Sequence, residues 1–220
     1  MYKKLFVVFI VFSMAAVFAQ RSHPNLILTK SAVEEIKSNL GNYPVFDRSV
    51  ELAKEFVGKA LNSKMDVPWP KDAGGGYTHE RHKQNYNEMY FAGILYQITG
   101  QVKYAKFIEE MLDKYAEMYP KLGKHPEGKK QHPGRLFWQS LNETVWLLHT
   151  IQAYDCIYDW LPQEKRALYE KNIFRPMTKF FVEECTEEFD RIHNHGTWIV
   201  AAVGMAGFVL EDEQLVKMSL

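Results

Sequence analysis

The chain has 220 residues, of which 46% are hydrophobic and 25% charged, with 27 basic and 27 acidic side chains. That composition excludes a disordered tail and is enough for one sizeable core or part of a larger one. The balanced charge gives no global attraction for a polyanion, so no nucleic-acid partner is expected and any anion recognition must be local.

In chain order, Lys3 and Lys4 come first and lead into the apolar run "LFVVFIVFSMAAVFA", with Val17 and Ala19 suiting cleavage before Gln20. Residues 1–19 therefore read as a secretory signal peptide and residues 20–220 as an exported chain, periplasmic or secreted. The run is too short for a spanning helix, and no other segment approaches membrane length, so no membrane attachment is expected after cleavage. Cleavage takes two lysines and no acid, leaving a net charge near −2.

Helical spacing follows from about Ser31 to Leu40 and again from Asp47 to Leu61, where Val50, Ala53, Val57 and Leu61 share a face. The stretch "NSKMDVPWPKDAGGGYTHERHKQNY" is dense in proline and glycine and reads as a long loop, with helix resuming near Asn87. "NEMYFAGILYQIT" then stops at Gly100, and "VKYAKFIEEMLDKYAEMY" stops at Pro120, with Phe107, Ile108, Met111, Leu112 and Tyr115 as its apolar stripe. A second pair runs from Phe137 to Trp160, turns at Leu161-Pro162 and continues as a long helix to about Phe189, which Pro176 is placed to kink. A third starts at "NHGTW" and turns near Glu211-Asp212.

No useful length alternates with a strand's period of two. The predicted fold is all-α: successive helical hairpins, one member apolar and the other amphipathic, of a kind that stacks as a solenoid or closes into an α/α toroid. The third hairpin has scarcely begun its second helix at Leu220, so residues 20–220 are expected to be the first part of a longer protein. Cys156 and Cys185 are the two cysteines. If the helices flanking Leu161-Pro162 are antiparallel, the cysteines lie about 25 Å apart, far beyond the ~7 Å a disulfide spans, and both read as buried thiols.

Three stretches are candidates for chemistry. In "HNHGTW", Asn194 suits a helix N-cap, but a cap needs neither the flanking histidines nor Trp198. A helix start with an Asn amide and the His195 imidazole also suits a bound carboxylate. His79, Glu80 and His82 follow a glycine run; the histidines are three apart, not the four of a zinc-peptidase helix, and no metal is expected. The triple glycine is not a phosphate loop, because no Gly-Lys-Ser/Thr follows; it suits a loop or a closely approaching wall bearing Tyr77 and His79. The basic run "KLGKHPEGKKQHPGR" ends at Arg135, one helical turn before Gln139, so those two side chains are expected to share a face. Asn142-Glu143-Thr144 fits a glycosylation sequon but falls inside a predicted helix.

Taken together, "KDAGGGYTHERHKQNY", "GRLFWQSLNETVWLLHTIQAYDCIYDWL", "FRPM" and "RIHNHGTW" resemble the N-terminal toroid of the alginate and oligoalginate lyases of polysaccharide lyase family 17. "NHGTW" also resembles a segment of other uronate lyases, including the heparinase II/III group. The resemblance implies β-elimination at a uronic acid: loss of the C5 proton and expulsion of the C4 oxygen, without a cofactor. It implies that Asn194 and His195 neutralise the uronate carboxylate, with Arg135 and Gln139, and more weakly His79, as substrate contacts. The resemblance implies that residues 20–220 are the N-terminal part of an α/α-toroid lyase domain, an incomplete toroid; the family's catalytic tyrosine and C-terminal β domain lie downstream and are absent, so this chain alone is expected to be inactive. A lyase for another uronate polymer such as a glycosaminoglycan, and a non-catalytic helical glycan-binding domain, are the alternatives; a hydrolase would need a placed carboxylate pair that the sequence does not present.

Overall fold

Helix ends follow the punctuation of the sequence. The computed structural model describes residues 22–128 and 132–220. Within them lie α1 (Lys30–Asn39), α2 (Pro44–Leu61), α3 (Tyr77–Thr99), α4 (Val102–Met118), α5 (Ser140–Ile157), α6 (Gln163–Tyr169), α7 (Arg175–Glu184), α8 (Thr186–Phe189), α9 (Asn194–Val209) and α10 (Glu213–Met218). The expected signal peptide, and Lys129, Lys130 and Gln131 of the basic run, lie outside the described residues. Among the described residues there is no sheet, and no helix is long and apolar enough to cross a membrane.

Gly100 ends α3 in the left-handed region at φ 67°, its N–H bonding Tyr96 O at 2.8 Å. The α4 stripe of Phe107, Ile108, Met111, Leu112 and Tyr115 is buried, while Lys106, Glu110, Lys114 and Glu117 face water. The expected long helix from Gln163 runs without interruption to Glu184 as α6, a π turn and α7, and only the short α8 is separate from it. Pro176 has no N–H to continue the ladder, and the chain adapts just upstream with a π turn over Glu170–Phe174, where the Arg175 N–H bonds Glu170 O. The break falls at Cys185, before the short α8.

α3, α5 and α9 pack side by side in that order; α4 returns against α3, α10 against α9, and α4 in turn meets α6. This is a row of helical hairpins with an inner and an outer layer, as expected for part of an α/α toroid. Neighbouring inner helices run parallel. His79 near the start of α3 meets Phe137 just before α5, while Gln97 near its end donates to Cys156 O near the end of α5. Gly93 permits the close approach between them: a Cβ there would lie 3.2 Å from Ala153 Cα and 3.1 Å from Cys156 Cβ.

The chain before α1 is tied to the inner layer through Asp155. Its carboxylate accepts the Asn25 and Leu26 N–H groups at 2.8 and 3.0 Å and meets His23 Nδ1 at 2.5 Å. Cys156 and Cys185 are free and buried. Burial pushes both thiols up, Cys185 to about 12, so neither ionises at neutral pH.

Candidate functional site

Because the inner helices are parallel, the starts of α3, α5 and α9 lie at one end of the protein. The three stretches singled out in the sequence are those three starts. The segment from His132 to Gln139 joins them: its Phe137 ring meets His79 edge-on at 5.1 Å, and its His132 ring lies 5.0 Å from that of His195.

That segment is shaped by Glu143, one turn into α5 and fully buried. Glu143 Oε2 accepts the N–H groups of Arg135, Leu136 and Phe137 at 2.6, 3.1 and 3.4 Å, and Oε1 accepts from Tyr119 OH at 3.0 Å. Burial still holds its carboxyl above the usual range against these bonds. With those N–H groups drawn onto one carboxylate, residues 135–139 cannot be helical, and the expected shared face of Arg135 and Gln139 is not formed. The Arg135 guanidinium instead meets Glu184 Oε1 at 2.5 Å and lies 4.8 Å from the centre of the Phe180 ring. Gln139 stands at the N-cap position of α5, its amide donating to Asn142 Oδ1 at 2.9 Å. Within the sequon-like triplet, Thr144 is buried and donates to Ser140 O at 2.7 Å.

α3 begins at Tyr77, ten residues earlier than the sequence pattern suggested. Asp72 and Thr78 start it by mutual bonding: Thr78 N–H donates to Asp72 Oδ2 at 2.9 Å, and Thr78 Oγ1 accepts the Lys71 and Asp72 N–H groups at 3.2 and 3.0 Å. The Thr78 N–H holds the Asp72 carboxyl below its usual range. Gly75 turns at φ 87°, and a Cβ on Gly76 would strike Asp72 Cβ at 2.4 Å. The triple glycine is thus the turn into a helix, with Gly74 against the Trp138 ring. The loop before it is pinned at Asp66, whose backbone oxygen accepts from Asn85 Nδ2 at 2.9 Å and whose carboxylate accepts from Tyr77 OH.

His79 is consequently a buried residue at 5% exposure, part of the floor beneath Phe137 and not of an open wall. His82 is fully buried, its Nδ1 2.8 Å from Tyr115 OH. Burial lowers the pKa of His79 and of the neighbouring His125, and takes His82 from 6.5 to about 3. The unfolded chain therefore binds more protons between these two values, so His82's contribution to stability is complete above pH 6.5 and is lost as pH falls toward 3. His82→Gln should flatten the acid limb of stability by about 1.4 kcal/mol per pH unit below 6.5. Urea midpoints measured from pH 7 to 4.5 check this; parallel pH curves for the two proteins would contradict it.

At the start of α9 the structure gives the cap to His193, whose Nδ1 accepts the His195 N–H at 3.1 Å. Asn194 is the first helical residue, not the N-cap. It is exposed, and its amide makes no hydrogen bond among the described residues. Trp198, 40% exposed, follows one turn later on the same face. His195 is half-buried, with Nδ1 3.8 Å from Glu188 Oε1. The same Glu188 oxygen bonds His132 Nδ1. His132, Glu188 and His195 each bring one nitrogen or oxygen atom within 4.8 Å of the others.

A family model described as alginate lyase matches residues 32–220. The chain is 50% identical over 198 residues to an exo-oligoalginate lyase of Saccharophagus degradans and 45% identical over 206 residues to an alginate lyase of Stenotrophomonas maltophilia. The chain belongs to the alginate lyase family. The alignments take in 90% and 94% of this chain but 27% and 28% of those proteins, so it spans little more than a quarter of their length.

Within this family member, four residues at the clustered helix starts escaped the sequence reading. Glu143 passed as the middle of a sequon, though a charged residue within "LNETVWLL" marks a buried acceptor. His132 passed as part of a basic run. His193 passed as one of the flanking histidines, though its ring caps the helix two residues on, and Glu188 carried no local signal, since His132 and His195 reach it from other elements.

Proposed function

We propose that the protein is an exported lyase that breaks alginate-derived oligosaccharides by β-elimination at a uronic acid. The uronate carboxylate sits at the start of α9, accepting from the Asn194 amide and the His195 Nε2–H. Removing the C5 proton drives negative charge onto that carboxylate, and aimed donors in a partly dry site lower the energy of this state. The start of α9 adds unpaired N–H groups and a partial positive charge, and those of α3 and α5 lie at the same end. Gln139 and Arg135 flank the sugar from the segment before α5, His79 supports the floor, and the exposed Trp198 ring offers an apolar face to a pyranose. The observation that carries this reading is the Asn194 side chain: exposed, relieved of capping by His193, and adjacent to a histidine backed by a carboxylate. The names of the two relatives support alginate as the polymer over other uronates.

The full-length gene product, assayed for unsaturated uronate by ultraviolet absorbance, should release product from alginate oligomers and not from heparin or chondroitin. Activity confined to a glycosaminoglycan would move the substrate assignment to that polymer, and sugar binding without turnover would make the domain a glycan binder.

A further inference from the structure

Glu188 is a buried carboxylate, 3% exposed, that the elimination chemistry above does not use. It sits on α8, under the first turn of α9. Oε1 bonds His132 Nδ1 and lies 3.8 Å from His195 Nδ1, while Oε2 is buried with no hydrogen-bond partner among the described residues. Among the described residues its ion-pair partners are these two histidines alone. The placement is fixed by backbone packing, because Gly196 lies against the carbonyl oxygens of Glu188 and Arg191.

A carboxylate removed from water is costly unless a cation or several donors offset it. Among the described residues the offset is a proton on the His132 and His195 imidazoles. Among the described residues, the groups facing the His195 ring include Glu188 from α8, His132 from the segment before α5, and His193 from its own helix start, 5.5 Å away. Arg135 of the same segment is paired with Glu184 of α7.

A neutral imidazole with Nδ1–H turned to a carboxylate has a lone pair at Nε2 and cannot donate to a second carboxylate; an imidazolium donates from both nitrogens. We infer that Glu188 is a positioning residue that holds His195 as an imidazolium, Nδ1–H toward Glu188 and Nε2–H toward the uronate carboxylate. His132 shares the Glu188 oxygen and fixes it in place. The inference rests on the assignment of His195 to the uronate carboxylate and adds the group that keeps it charged.

The test uses the full-length gene product with Glu188→Gln, Glu188→Ala and His195→Ala, each assayed for kcat/KM on alginate oligomers across pH. Glu188→Gln keeps the shape and removes the charge. It should melt near wild type yet lose roughly ten- to a hundredfold in kcat/KM, the range found when the carboxylate orienting a metal-bound histidine is removed. Its alkaline limb should move to lower pH by about one unit or more, because a nearby opposite charge is what favours the protonated ring. Formate should restore part of the activity of Glu188→Ala, which a purely structural role would not produce. Should Glu188→Ala fail to fold, the isosteric Gln variant decides alone. A wild-type pH profile and rate in Glu188→Gln, with His195→Ala impaired, would overturn this inference only. Wild-type activity in His195→Ala would overturn the site assignment beneath it.

Discussion

Gly196→Ala is expected to destabilise the protein and empty the site together. A Cβ at this position would lie 2.1 Å from Arg191 O and 2.6 Å from Glu188 O. Both are backbone atoms and cannot swing aside as a long side chain would, so α9 must lift from the α8 corner. Alanine's better helix propensity, about 1 kcal/mol, works in the opposite direction, but overpacking of this kind costs typically about 1–3 kcal/mol and occasionally more. The same shift carries His195 away from Glu188 and moves Asn194, so turnover should fall further than the melting temperature alone explains. Gly58→Ala on α2 is the control: a Cβ there meets nothing within 4 Å, and the substitution should stabilise by up to about 1 kcal/mol. Thermal melts of both variants, read beside alginate turnover, check the pair. A Gly196→Ala protein as stable and active as wild type would show that the corner is not packed as described.

What the sequence made legible was whatever local chemistry decides. Gly100, Pro120 and Leu161-Pro162 stop helices where the residue types require, the α4 stripe is buried as its spacing demands, and both cysteines are free. "NHGTW" opens an apolar helix at the residue expected. Elsewhere local signals conflicted. Prolines and glycines between Val67 and Gly76 made the surrounding stretch read as loop, but the Asp72–Thr78 exchange starts a helix immediately after them. Asn194 has the type of a cap, yet His193 takes that role because its ring folds back onto the His195 N–H. Contacts across long separations left no trace in the pattern: His132 and Glu188 stand 56 residues apart, and Glu143 organises a segment that precedes it. The site residues drawn from family resemblance fell at one end of the fold because parallel inner helices bring their starts together. Arg135 and His79 are more deeply engaged with protein neighbours than a reading as open substrate contacts implied.

The central claim is that Asn194 and His195 neutralise the uronate carboxylate. Since His193 is the cap, Asn194→Asp removes no capping bond. A carboxylate in the first turn of α9 also gains from the helix N-terminus, about 0.3–1 kcal/mol, so folding should be unharmed. In the elimination, however, Asp faces the substrate carboxylate with a like charge and no amide donor. The loss in transition-state stabilisation should be on the order of 3 kcal/mol, roughly a hundredfold in rate, if it resembles removal of one oxyanion donor. His195→Ala should also depress the rate while changing folding little. The most direct measurement is therefore the melting temperature of Asn194→Asp beside its kcat/KM on alginate oligomers, in the full-length gene product. We predict a melting temperature at or above wild type with a roughly hundredfold loss of kcat/KM; a well-folded Asn194→Asp enzyme turning over near the wild-type rate would contradict the claim.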